Sequence, residues 1–507
     1  MNRSRTISAP LLSGLLLGLV AGCGGESPPP VTPPLTVATA SASPAAAAPA
    51  DPLGPRPDVP TPPPFAPPVP QVFTGTSGIT VWLLERHDVP LVACNIDLPS
   101  GAASDPKGKA GLAYATANML DEGAGKRGAL DFARAVDDLG AHLGTSANAD
   151  SSFVSLSVLK RNLDKAFALF GDAVARPRLE AAEWKRVSDL WTNELKERDK
   201  DPNATARVVY RVALFGPDHP YGHPWDGTLQ SARAVTLDDV RNFYKTAYRP
   251  DRATLVCVGD LTKAELTPLM DSAFGSWKAP ATPPPALVTP AAPAGPWPRL
   301  ILVDRPDAPQ AVIATVKPGL AASSPDAPPL WRVNNVIGGS FTSRLNQDLR
   351  EAKGYTYGVS SRYSESRGPG MVITGAAVRT DATGDALGAM LADLKTFADA
   401  GLTDDETAKS RSQARGELVS TYESFEHIAG QLAGNASLGL PPDWEVQSSQ
   451  RLEAATKDDL DRLAKQYFAP DGAILVVVGP RARVQTQLDK LGLPAPEIRD
   501  ATGNILK

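Results

Sequence analysis

The chain contains no unbroken apolar run of the about 20 residues that a membrane-spanning helix needs. Its N-terminal apolar segment, residues 11–20, is too short for that role. There is no excess of basic charge either: 51 Lys and Arg stand against 56 Asp and Glu, a net charge of −5. A nucleic-acid partner would show as a basic stripe, so that class is set aside. Cysteine is scarce, with three in 507 residues. Cys23 follows the N-terminal apolar segment, and Cys94 and Cys257 each sit inside an apolar, strand-like run. For these two the reading is buried free thiols, although an oxidising compartment would permit a disulfide. The length suffices for two or more domains with substantial cores.

The first residues read as an address. Arg3 and Arg5 precede the apolar segment, and Val20-Ala21-Gly22-Cys23 closes it, the general form of a secretory signal peptide over residues 1–22. Those four residues resemble a bacterial lipobox, which implies lipidation of Cys23 as the first mature residue. A signal peptide with an incidental cysteine and a short membrane helix are the alternatives. Gly rather than Asp at position 24 implies, by the lipoprotein sorting pattern, the outer membrane of a Gram-negative cell, facing the periplasm. Residues 23–71 form a Pro/Ala-rich stretch with about a third of all prolines. Such a composition cannot bury a core and behaves as a semi-stiff spacer.

An internal repeat organises the remainder of the chain. Thr236-Leu237-Asp238-Asp239-Val240 through Pro250-Asp251 to Leu255–Gly259 matches Thr456-Lys457-Asp458-Asp459-Leu460 through Pro470-Asp471 to Leu475–Gly479, without a gap. In each copy Thr stands as N-cap, two Asp occupy the positive end of a helix, and a buried strand bounded by Gly follows the Pro. A Pro/Ala-rich linker over residues 279–298 separates the copies, giving domains at 72–278 and 299–500. Strand-like segments at residues 79–84, 91–98 and 153–158 alternate with long amphipathic helices. This predicts an α+β fold with helices stacked on mainly antiparallel sheets.

Residues 111–120, Gly-Leu-Ala-Tyr-Ala-Thr-Ala-Asn-Met-Leu, open an apolar-periodic helix after the turn-prone run Ser104-Asp105-Pro106-Lys107-Gly108. The segment resembles the signature helix of the insulinase/pitrilysin family, zinc peptidases with an inverted His-x-x-Glu-His motif. On that pattern the first zinc histidine falls on Tyr114, the catalytic glutamate on Ala117 and the second histidine on Asn118. Spacings of three and four residues put all three on one helical face. A phenol, a methyl and an amide make no zinc centre, and Ala117 cannot serve as general base. The loop Asp218–Pro224, the turn Tyr248-Arg249-Pro250, and the segments Gly338–Leu345 and Leu349–Tyr357 resemble other parts of the same family in the same order. The family's fold, two homologous domains forming a clamshell cavity, is therefore expected.

The resemblance also implies which chemistry survives. Glu194, on a helix with the apolar stripe Trp184, Val187, Trp191 and Leu195, fits the third ligand position by spacing; an ordinary boundary glutamate is the alternative. His219 and His223 are separated by Pro220 and Gly222, so their i, i+4 spacing carries no helical ligand geometry. Arg350 and Tyr357 resemble the family's Arg/Tyr pair, in which Tyr donates to the oxyanion at the scissile carbonyl and Arg holds the peptide backbone. The alternatives are a helix-end surface charge and an inward-packed strand residue. A chain with this pair but no zinc motif resembles the non-metallated subunit of the processing-peptidase subfamily. That implies a homologous zinc-bearing partner, peptide substrate, no cofactor in this chain, and Arg350 and Tyr357 acting in trans. A non-catalytic peptide-binding or structural envelope lipoprotein is the rival reading.

Overall fold

The computed structural model describes residues 65–506, except 76 and 285. The signal-like segment, Cys23 and the proline-rich stretch up to residue 64 lie outside the described residues.

The first half begins with β1 (Gln71–Thr74), β2 (Thr80–Glu85), β3 (Leu91–Leu98), α1 (Leu112–Ala117), α2 (Ala129–Asp137), β4 (His142–Ala147) and β5 (Ser152–Leu159). It continues with α3 (Leu163–Ala175), α4 (Ala181–Arg198), α5 (Pro202–Phe215), α6 (Leu229–Ala234), α7 (Leu237–Ala247), β6 (Thr254–Gly259) and α8 (Lys263–Phe274). The second half opens with β7 (Leu300–Asp304), β8 (Gln310–Pro318), α9 (Ala327–Asn334), β9 (Thr356–Tyr363), β10 (Met371–Arg379) and α10 (Thr383–Ala400). Then come α11 (Asp404–Thr421), α12 (Phe425–Ser437), α13 (Trp444–Ala454), α14 (Lys457–Phe468), β11 (Ile474–Gly479), α15 (Arg481–Asp489) and β12 (Glu497–Arg499).

Each half builds a six-stranded, mainly antiparallel sheet. The orders are β1-β2-β6-β3-β5-β4 and β12-β7-β11-β8-β10-β9. Five strands correspond between halves, and in both the last strand of the repeat returns to the sheet's interior. β6 and β11 are buried almost throughout, which is why they read as continuous apolar runs. The sixth strand differs. β1 pairs antiparallel with β2, whereas β12, from the chain's far end, pairs parallel with β7. The repeat is visible in atomic detail at the helix starts. The Asp239 N–H donates to Thr236 Oγ1 at 3.2 Å while Thr236 N–H donates back to Asp239 Oδ2 at 2.8 Å. Thr456 and Asp459 repeat this box at 3.2 and 3.0 Å.

On one face each sheet carries helices of its own half, α1, α3, α7 and α8 on the first and α9, α10, α14 and α15 on the second. The other face is covered by the opposite half. α12 packs Phe425, Ile428 and Leu432 against Trp82, Leu84, Val256 and Val258 of the first sheet. α5 packs Val209, Tyr210, Leu214 and Phe215 against Val303, Val312, Val316 and Val476 of the second. Burying each such large side chain contributes on the order of 2 kcal/mol. Polar bonds accompany the exchange: Ser157 Oγ donates to Glu426 Oε1 at 2.6 Å, and Arg305 donates to Thr205 Oγ1 at 3.0 Å.

Two expectations need correction. Cys94 and Cys257 are not free thiols but a disulfide. The antiparallel register of β3 on β6 sets them directly opposite, on the face turned toward the first half's own helices, with Cα atoms 4.2 Å apart. The N-terminal spacer ends before residue 71, since Phe65 already packs on Tyr422 at 5.2 Å between ring centres and Pro67 and Pro70 are buried. The linker 279–298 is packed against both halves: Trp297 Nε1 donates to Leu214 O at 3.0 Å, and Arg367 donates to Val288 O at 3.1 Å.

On the other face of β3, toward α12, Asp97 is only 1% exposed and its Oδ1 has no hydrogen-bond partner among the described residues. Burial pushes its carboxyl up to about 7, with Ser151 and Arg367 pulling back and Asp150 adding to the rise. Because the folded-state pKa lies above the ordinary 3.8, the protonated form's stabilisation is complete at acid pH. It is lost as pH rises through about 7. Asp97→Asn should therefore match the wild type near pH 3, below the ordinary value, and exceed its unfolding free energy at pH 9. The expected gap is roughly 2–4 kcal/mol by denaturant titration.

Candidate functional site

The signature helix α1 is held at its start by Asp105. Its Oδ2 accepts the Gly111 N–H at 2.6 Å and its Oδ1 the Ala113 N–H at 2.8 Å. Gly111 has φ 86°, and a Cβ there would lie 2.6 Å from Trp191 and 2.9 Å from Gly227. Only glycine lets α1 begin this close to α4. Leu112, Ala113, Ala115, Thr116 and Ala117 are then buried, and Tyr114 and Asn118 are left on the open side.

α4 brings Glu194 to that side. The Tyr114 hydroxyl donates to Glu194 Oε2 at 3.2 Å, joining positions 80 residues apart. The Tyr114 ring sits 6.2 Å from Trp191 and, edge-on, 5.3 Å from Trp225. Trp191 is itself fixed by an N–H donated to Asp226 O at 2.8 Å. Burial, then the Glu194 charge, pushes the phenol up to about 12, with Asn118 drawing it down. It remains a neutral donor at physiological pH.

The zinc that the family's motif would carry does not fit these residues. Zinc takes thiolate, imidazole or carboxylate ligands in tetrahedral array. The positions here offer one carboxylate already accepting from a phenol, an amide, and the buried methyl of Ala117. Among the described residues, no group of three or more His, Cys, Asp or Glu is placed to hold a metal ion. His219 and His223 serve their own loop. His219 Nδ1 accepts the Tyr221 N–H at 3.0 Å and its ring stacks on Phe215 at 4.8 Å. His223 is held below its ordinary pKa by burial, and Nδ1 lies 3.2 Å from Pro224 O.

The second pair lies apart from this cluster. Arg350 occupies a wide helical turn, Asn346–Ala352, with its guanidinium 3.6 Å above the Phe341 ring and Nε donating to Glu351 at 2.8 Å. Tyr357 lies on β9, the edge strand of the second sheet, and is 93% exposed. The inward-packed alternative for Tyr357 is thereby overturned. Neither residue makes a hydrogen bond, ion pair or ring contact with Tyr114, Asn118 or Glu194 among the described residues.

Sequence reasoning missed a polar node across the seam. Asp150 Oδ1 accepts from the Tyr221 hydroxyl at 2.7 Å, and Oδ2 accepts the Arg367 N–H at 3.0 Å. Arg367 also donates to Ser437 O at 2.6 Å. Asp150 and Arg367 are 217 residues apart, with no local pattern to link them.

A family model described as "Insulinase (Peptidase family M16)" matches residues 80–214. Another, described as "Peptidase M16 inactive domain", matches residues 234–414. Together they span more than half of the sequence, and the chain belongs to the M16 insulinase family. An uncharacterized zinc protease of Mycobacterium leprae is 26% identical over 383 residues, 74% of this chain and 84% of that protein. The beta subunit of the mitochondrial-processing peptidase of Lentinula edodes is 20% identical over 417 residues, 79% of this chain and 88% of that protein. A crystal structure of a peptidase M16 inactive domain from Pseudomonas fluorescens aligns with a TM-score of 0.75 at 23% identity. It covers 81% of this chain and 98% of that one, a likeness of fold.

The donor set makes a direct statement about metal content. Purified from zinc-containing medium, the chain should hold far less than one zinc per molecule by elemental analysis. One tightly bound zinc per chain would show that another ligand set exists.

Proposed function

We propose that this chain is the non-metallated subunit of a heterodimeric envelope peptidase, completing the site of a zinc-bearing relative. One observation carries the reading. The Tyr114 side of the chain is filled by aromatic rings and a hydrogen-bonded carboxylate, whereas Tyr357 stands exposed on edge strand β9, which packs on the turn that carries Arg350. In this arrangement the Tyr357 hydroxyl donates to the oxyanion that develops at the scissile carbonyl of a peptide. Arg350, steadied by the Phe341 ring, donates its N–H groups to the peptide backbone. Any zinc belongs to the partner. The family model's description as an inactive domain and the likeness to a named peptidase subunit support the reading. We place the protein on the outer membrane through lipidated Cys23, facing the periplasm, and the Cys94–Cys257 disulfide suits an oxidising compartment.

A second reading is a peptide-binding module without catalysis. It draws support from the seam, where exchanged helices and the Asp150–Tyr221–Arg367 node tie the halves together around a cavity.

Mixing the chain with a zinc-bearing relative should produce peptidase activity that neither shows alone. Tyr357→Phe should lower kcat of the mixture by roughly a hundredfold with little change in KM, because the contact forms in the transition state. Arg350→Ala should raise KM as well. Unchanged activity in Tyr357→Phe would refute the assignment and favour the binding module.

The proposed anchor has its own test. Cys23→Ser should shift the protein from the detergent-soluble outer-membrane fraction to the soluble periplasm. Unaltered fractionation would mean that something other than Cys23 holds it.

A further inference from the structure

α5 carries Arg211 into the seam between the halves. There it lines a cavity of about 350 Å³, with Phe215, Tyr221 and Trp225 from the first half and Glu365 and Met371 from the second. Its Nη1 donates to Tyr221 O at 3.2 Å. Among the described residues its guanidinium makes no other hydrogen bond, and it lines the cavity wall. Among the described residues no carboxylate pairs with it, and the nearby ones are engaged elsewhere. Asp226 accepts from Arg198 at 2.8 Å. Asp150 accepts from the Tyr221 hydroxyl and the Arg367 N–H. Glu365 accepts from the Tyr363 hydroxyl at 3.1 Å, and burial raises its pKa toward the neutral form.

Arg211 is partly shielded from water, and a guanidinium at a cavity wall with one neutral acceptor has N–H donors to spare for an anionic ligand. Burial lowers the Arg211 pKa accordingly. A planar fork of N–H donors matches a carboxylate in two parallel hydrogen bonds. The walls around it are aromatic and apolar, and Trp225 also packs edge-on against Tyr114, so the cavity adjoins the degenerate metal position. The volume is at the lower end for ligand sites and admits one or two residues.

We infer that this cavity is a carboxylate site for the C-terminus of a peptide, with Arg211 as counter-ion and Trp225, Phe215 and Met371 around the last side chain. Asp150 on the same wall disfavours a second negative charge, so an apolar or aromatic last residue is selected over an acidic one. This goes beyond the trans-subunit reading, because it concerns the chain alone and needs no zinc-bearing partner.

The test is calorimetric titration of the folded chain with acetyl-Ala-Ala-Phe, its C-terminal amide, and acetyl-phenylalanine. The free-acid tripeptide should bind at least about tenfold more tightly than the amide. Arg211→Met should abolish that preference and still unfold cooperatively at a similar temperature, since it gives up a single hydrogen bond, to the Tyr221 carbonyl, and no ion pair. Arg211→Lys should keep part of the preference, and Trp225→Ala should weaken the free acid and the amide alike. Equal binding of acid and amide, or binding of neither, overturns the proposal. So does failure of Arg211→Met to fold, which would make the guanidinium a structural strut. Acetyl-phenylalanine binding as tightly as the tripeptide would overturn the peptide assignment in favour of small carboxylic acids.

Discussion

Each sheet has one face that its own half cannot cover, and the exchange of α5 and α12 covers both. A sheet face bearing Trp82, Leu84, Val256 and Val258, or Val303, Val312, Val316 and Val476, cannot remain in water without a large loss of hydrophobic stabilisation. The two halves are thus neither beads on a string nor a simple docked pair, because each core is finished by a helix grown on the other. The position of every candidate residue follows from this. α5 puts Arg211 in the seam, the loop after it puts Tyr221 beside Asp150, and the last residue of α12 supplies the carbonyl that Arg367 grips.

The same dependence accounts for how the outward positions of α1 can change while their scaffold stays. α1 is fixed by Asp105, by the glycine contact with Trp191 and by a fully buried inner face, none of which involves the outward positions. Replacing the expected ligands by Tyr114, Ala117 and Asn118 leaves those supports intact. The phenol takes up the space and turns Glu194 into a hydrogen-bond acceptor. A fold stabilised elsewhere tolerates different residues at these outward positions, which is the sense in which site and scaffold are separable.

What was legible in the sequence was what depends on near neighbours. Thr236 with Asp239 and Thr456 with Asp459 announced helix starts because a capping box closes within four residues. The paired β6 and β11 runs announced buried strands. What was hidden depends on register and on distant contact. Nothing local says that Cys94 will face Cys257, because a slip of one residue would turn the thiols to opposite faces. The stripes of α5 and α12 show that they bury an apolar face but not whose sheet receives it. Proline-rich composition suggested a loose connection at 279–298. Yet a segment poor in N–H donors suits a seam where it is asked for carbonyls, as Val288 and Ala291 supply to Arg367 and His219.

The Cys94–Cys257 bond closes a covalent ring with a sequence separation of 163 residues, and α5 lies within it. The element that finishes the second core is therefore part of a loop whose two ends are fused at the centre of the first sheet. A single backbone cut in any exposed turn of that loop, such as the one at residues 216–227, does not divide the molecule. Both pieces stay joined, and α5 keeps its hold on the second sheet. Nicked protein would run as one species until a reductant is added, so the ring acts as insurance against cleavage in the segment that the two halves share.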